Sequence, residues 1–319
     1  TLIAKGGTNG GGGGAILFEN VSTGGTSRVK VFGNGNLDIS FHVAPGVTIG
    51  SIEGNGNVFL GAHNLAIGSN NMDATFSGVL QDGGLHGGVG GSVTKIGTGT
   101  LDLTGANTYT GDTNINRGVL QVDGSITSNT FVNQHGTLAG TGTINGNVTN
   151  NSKVIPGSAG SPGMLTVTGN YTQAQFATLM IQLANTSDFG ALNVLGTANL
   201  AGRLDAVLHN GVVPTVGDSF TFLTAGSLNG TLSMRNRNID DVAEHWELSY
   251  FPTFAILSVI AGNVPVPDQG STFVLLTFGL LGLVICRRHC LTFSHQARLA
   301  DESRNENANA KSQPSQLYA

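Results

Sequence analysis

Leu101, Leu120 and Leu138 each sit in a short alternating stretch, TLDLTG, VLQVDG and GTLAG, and recur at an almost constant interval. Alternation of period two sends the apolar side chains to one face of a strand. A strand this short cannot bury that face alone. A regular recurrence solves the problem by stacking: each coil gives the next its backbone partners and its apolar floor.

The same pattern precedes them, with Val58 and Leu60 in NVFLG and Leu65 and Ile67 in NLAIG. Each stretch is closed by Gly, Asn or Asp, and the chain holds 49 Gly among its 319 residues. Gly and Asn tolerate the positive φ of sharp corners, so over residues 1–170 short strands between tight turns are predicted, with almost no room for long helices. Antiparallel hairpins in a sandwich or barrel would alternate equally well, and the steady interval from Leu101 through Leu120 to Leu138 favours the coils.

The expected fold is all-β: a right-handed parallel β-solenoid over residues 1–170, followed by a small antiparallel β-rich cap and a C-terminal transmembrane helix. Inward Leu, Ile and Val begin near residue 15, and Asn107 is placed at a corner. From Tyr171 the strands lengthen, as in FATLMIQLA, SFTFLTA, HWELSYF and TFAILSVIA. That change predicts a second unit over 171–262, its sheet buried on one side, with Phe220 and Phe222 on one face and Thr221 and Leu223 on the other. It would cover the open end of the coils.

Charge narrows the function. Lys and Arg number 14 against 19 Asp and Glu, a net charge of −5, and only 10% of residues are charged. Before residue 264 the cations are scattered, so no electrostatic footprint for nucleic acid exists. At 39% hydrophobic the chain is too apolar for charge-driven disorder. Both cysteines, Cys286 and Cys290, lie late in the sequence and leave the body without a disulfide. The chain begins at Thr1 in mid-pattern and is read as the C-terminal part of a longer protein.

Candidate chemistry is thin. The run Gly6 to Gly14 and the stretch GTGTING at 140–146 lack the Lys-Ser/Thr ending and the following helix of a phosphate cradle. GNGNLD, at 33–38, lacks the tandem spacing of calcium-binding β-rolls. Asp240, Asp241, Glu244, His245 and Glu247 in DDVAEHWEL could supply paired carboxylates, and a solvated loop entering a strand at Trp246 accounts for them more simply. Asp102, Asp112 and Asp123 follow turns without partners, and His42, His63, His86 and His135 are scattered surface-loop residues without metal-ligand spacing. No catalytic residue, metal or cofactor is predicted.

Lys95 to Val122, KIGTGTLDLTGANTYTGDTNINRGVLQV, resembles the autotransporter-associated β-strand repeat of bacterial surface passengers. The matching residues are Lys95, Gly97, Gly99, Leu101, Leu103, Gly105, Asn107, Tyr109, Gly111, Thr113, Gly118 and Leu120. GTLAGTGTINGNV at 136–148 and VIPGSAGSPGMLTVTGNYTQ at 154–173 are similar to it as well. The resemblance implies an extracellular β-helical stalk and carries no catalytic residues.

Residues 263–290 resemble a PEP-CTERM sorting signal of VPD type, through Val266, Pro267, Asp268, Ser271, Thr272, Arg287 and Arg288. Such a signal implies recognition at Val266, Pro267 and Asp268 by an exosortase, a membrane enzyme. It departs from the pattern in its tail, since the chain runs on well past Arg288 to Ala319. Phe273 to Cys286 would span about 21 Å as a helix, short of the roughly 30 Å hydrocarbon core. Pro265 and Pro267 open the run, Arg287 and Arg288 close it as a membrane stop, and the positive-inside bias places them in the cytoplasm. Residues 291–319 read as a disordered tail. The expectation is an exported, membrane-tethered structural or adhesive protein, with extracellular polysaccharide as candidate partner. The alternative is a carbohydrate-active enzyme or carbohydrate-binding protein on the same scaffold, although one Trp and four Tyr offer few stacking platforms.

Overall fold

The structure is a computed structural model describing residues 1–158, 160–209, 211–235 and 244–262. The expected sorting signal, apolar helix and tail lie outside these residues. The described residues belong to one compact unit, Thr1–Gly262. They form strands and no helix, gathered into sheets of 12, 4 and 14 strands.

The chain winds through three strand positions per coil. In one coil Arg28–Val31 joins the 12-stranded sheet, Asn36–Asp38 the four-stranded sheet and Gly46–Ile49 the 14-stranded sheet. The next coil repeats the order with Ser51–Gly54, Asn57–Phe59 and Asn64–Ile67. Each strand pairs in parallel with its counterpart one coil on, as stacking demands. This is a parallel β-solenoid; among the described residues, antiparallel pairing inside its body is confined to the short contact of Lys153–Ser158 with Ser161–Pro162 and a Leu183–Phe189 bridge.

The leucine period is a pairing register. Leu101 stands opposite Leu120, Leu120 opposite Leu138, and the file continues through Val154, Leu179 and Leu204 to Met234. Leu101 to Leu204 in this file are at most 1% exposed, as are Val58, Leu60, Leu65 and Ile67. Full burial of each aliphatic side chain contributes about 1.5–3 kcal/mol, so one continuous core runs the length of the stack.

Asn107 departs from its expected corner: it is 1% exposed and stands in the wall. At this coil the four-stranded sheet ends with Val79–Gln81, and only an Ala106–Ser125 bridge occupies the third position. Thr108 N–H donates to Leu80 O, and the Asn107 Oδ1 accepts Leu80 N–H at 3.0 Å, where the next strand's carbonyl would stand. Its Nδ2 donates to Gly105 O and Ser125 O, each at 3.0 Å. One amide side chain thus carries the ladder across a gap in the sheet.

Parallel winding does not stop near 171. Thr178–Leu183, Arg203–Leu208 and Ser233–Met234 extend the 12-stranded sheet in parallel. On the other side, Met164–Val167 and Tyr171–Gln173 of one coil both pair with the single long strand Ala191–Leu200 of the next. Ser219–Gly230 then lies parallel to that strand. Two short strands and their corner have fused into one long strand, which is why the texture lengthens without a change of architecture. Extended antiparallel pairing begins where Phe254–Ala261 meets Ser219–Gly230 and Glu244–Tyr250. An irregularity between Phe220 and Leu223 breaks the alternation, so Leu223 is buried beside Phe220 and Phe222 instead of sharing an outer face with Thr221. Phe220 packs edge-on against both Phe189 and Trp246, fixing the final hairpin to the last coils.

Candidate functional site

Of the sequence-named residues, Val266, Pro267, Asp268, Arg287 and Arg288 lie outside the described residues, as do Asp240 and Asp241. Glu244 and Glu247 stand three apart on one strand, which sends them to opposite faces. The strand therefore does not assemble a carboxylate pair. Asp123 accepts from Gln121 Nε2, Thr141 N–H and Thr141 Oγ1–H, and ties two coils together. Asp102 differs: its Oδ1 is buried without a partner. Burial, with the nearby Asp123 charge, pushes its carboxyl up to about 6. His42 is not a surface-loop residue but is 7% exposed, its ring nitrogens set against Val43 O and Ser22 O of adjacent coils.

The Gly-rich stretch QDGGLHGGVGG, between the strands Val79–Gln81 and Ser92–Lys95, folds back over the outer face of the four-stranded sheet. Asp38 and Ser40 clasp it: Leu85 N–H donates to Asp38 Oδ2 at 2.7 Å and His86 N–H to Ser40 Oγ at 2.9 Å. Asp82 closes its base through Gly91 N–H and Thr110 Oγ1–H. Between loop and sheet lies a hollow of about 290 Å³ lined by Asn36, Asp38, Phe59 and Leu85. Asp38 uses its oxygens on N–H donors, so GNGNLD serves as an anchor for a loop. Clustered Gly was the only signal of this feature in the sequence.

A second hollow, about 380 Å³, opens at a corner and is lined by Thr98, Arg117, Gly118 and His135. Behind it lies Lys95, 1% exposed. Its Nζ donates to Ile96 O at 2.6 Å, Gly97 O at 3.1 Å and, one coil on, Arg117 O at 3.2 Å. Burial pulls this ammonium down to about 8, with the Asp73 charge opposing. Gly97 and Gly118 both take φ of +69° here, and a Cβ on Gly97 would stand 1.9 Å from Gly68 O. A charged residue reads as surface in a sequence, so Lys95 gave no hint of burial.

Residues 93–122 match the passenger-associated-transport-repeat, and residues 265–289 match the VPDSG-CTERM motif. The repeat match holds Lys95, Asn107, Arg117 and Gly118, while His135 at the corner and Leu80 and Ser125 in the wall lie outside it. An extracellular serine protease of Serratia marcescens is 54% identical over 54 residues, 17% of this chain and 5% of that protein. The adhesin BmaC autotransporter of Brucella suis biovar 1 is 38% identical over 121 residues, 34% of this chain and 3% of the adhesin. The chain thus spans a small fraction of the length of these relatives. It is an exported, cell-surface protein, built on passenger-type repeats and bearing a C-terminal sorting motif.

Proposed function

We propose that this chain is the stalk of a surface-displayed structural or adhesive protein, held at the membrane by residues 273–286 and sorted by an exosortase-type enzyme acting at residues 266–268. The observation that carries the reading is the union of a passenger-type parallel solenoid with the sorting motif over 265–289. Stacked coils give a rigid body held by backbone ladders and one core, with no disulfide required before Cys286. That construction suits the exterior, where a protein must persist without chaperones. In this reading Arg287 and Arg288 stop transfer on the cytoplasmic side, and the loops of the coils meet the partner, an extracellular polysaccharide. The adhesin relative supports the adhesive role.

The test is to express the chain in a host that carries an exosortase and to determine the C-terminus of the surface product by mass spectrometry. Cleavage near residues 266–268 is the expected result, and Asp268→Ala should abolish it while insertion persists. A surface product that still ends in QLYA would refute sorting and leave a permanent anchor.

A further inference from the structure

We propose that the corner formed by Thr98, Arg117 and His135 binds an anionic group, a carboxylate or sulfate, with Lys95 as the charge behind it.

The argument starts from an unbalanced charge. The ion pairs among the described residues are Arg28–Glu53, Lys30–Glu53 and Arg235–Asp205. Neither Lys95 nor Arg117 has a carboxylate partner among these residues. Lys95 is 1% exposed, and its three hydrogen bonds all run to neutral carbonyls. These satisfy its protons without cancelling its charge, and an unneutralised charge held away from water is costly. Asp73 acts on Lys95 through its charge without forming an ion pair with it, and its Oδ1 accepts Thr100 N–H at 2.7 Å.

The geometry supplies the place where a counter-charge fits. Gly118 stands opposite Gly136 on the next coil, which brings Arg117 and His135 side by side at the corner, and Gly118 N–H donates to His135 O. Both side chains are exposed and both line the hollow. A Cβ built on Gly118 would stand 2.9 Å from Lys95 Nζ, and Gly118 itself lines the hollow, so the buried ammonium lies close behind its wall. The charged and titratable groups around the corner are Lys95, Arg117, His135 and Asp73, a positive surplus in a chain of net charge −5. An anion in the hollow meets the Arg117 guanidinium and His135 directly and the Lys95 field through that wall. Such a group comes from an acidic polysaccharide or from a free anion, and the two differ in affinity with chain length.

The experiment titrates the full chain, in mild detergent, with sodium sulfate, sodium glucuronate, an acidic oligosaccharide and a neutral one at constant ionic strength. Binding is read by calorimetry and by the His135 ring signals in NMR. The expected result is saturable binding of the anions but not of the neutral sugar, with His135 shifting along the same curve. Arg117→Gln should weaken binding at least about fivefold, the loss of one charge-assisted contact. Lys95→Met should weaken it too without removing a lining side chain. Tighter binding of the acidic oligosaccharide than of glucuronate identifies the polysaccharide as source, and equal binding identifies a free anion. Unmoved His135 signals, or equal binding of the neutral sugar, would overturn the site. The result is independent of C-terminal processing, so failure here leaves the sorting reading standing.

Discussion

Asn107→Ala should destabilise the solenoid about as much as the loss of a core leucine. The substitution removes the acceptor of Leu80 N–H and the donor to Gly105 O and Ser125 O. Ser125 O keeps Asn107 N–H and Gly105 O keeps Ser125 N–H, so the main orphan is the N–H of buried Leu80. An unsatisfied buried donor costs about 1–3 kcal/mol, and the two lost donations add about 1 kcal/mol in all, giving roughly 2–4 kcal/mol. Leu101→Ala and Leu120→Ala, each emptying a fully buried site, should cost about 2–5 kcal/mol. The assay is urea unfolding of the full chain followed by far-UV circular dichroism, with the same slope required of all variants. Asn107→Asp is the control: it keeps an acceptor for Leu80 and turns charge against two carbonyls, so it should do no better than Ala at neutral pH. A loss below about 0.5 kcal/mol for Asn107→Ala, the size of an ordinary surface change, would refute the claim that this amide stands in for a strand.

Gly97→Ala should unfold at markedly lower denaturant, since its φ of +69° and the 1.9 Å approach to Gly68 O both reject a Cβ. Asp102→Asn should stabilise the protein at pH 7 and not at pH 3. The folded carboxyl is raised to about 6 from 3.8, so the folded state holds the proton more tightly and stability falls as pH rises through that window; a variant indifferent to pH across it would contradict the buried Oδ1. Leu280→Arg should release uncleaved precursor from the membrane, because a charge at a helix centre costs about 2.5–3.5 kcal/mol on insertion scales. Fractionation reads this directly, and a variant still in the membrane pellet would refute insertion of 273–286.

What the sequence made legible was whatever kept its period. Leu101, Leu120 and Leu138 recur closely enough for their stacking to be read directly, and they pair as read. Beyond them the steps become unequal: Leu138 to Val154 is short, Val154 to Leu179 and Leu179 to Leu204 are longer, and Leu204 to Met234 is longer still. Loops of unequal length between aligned strands hide such a repeat, so continued winding after Tyr171 looked like a new unit. At the corner, the alternation that identified Leu101 as inward was blind to Asn107 and Lys95, because a buried amide and a buried ammonium carry surface chemistry. Part of what satisfies them comes from other coils, Arg117 O for Lys95 and Leu80 N–H and Ser125 O for Asn107, and one stretch of sequence does not contain it. Asp38 was equally opaque, its partner at Leu85 lying 47 positions away.

That unevenness of coil length has an evolutionary consequence. Pairing fixes only the strands; the connections leave the stack and return after a step as short as Leu138 to Val154 or as long as Leu204 to Met234, while the inward file stays in line. Since lengthening a loop costs little more than a slowly growing closure entropy, whole segments can be gained or lost between strands without disturbing their neighbours. The clasped glycine-rich excursion at 81–91 is one such guest. A stack of coils of this kind is a rack on which new surface features can be mounted coil by coil, each tried without re-engineering the frame.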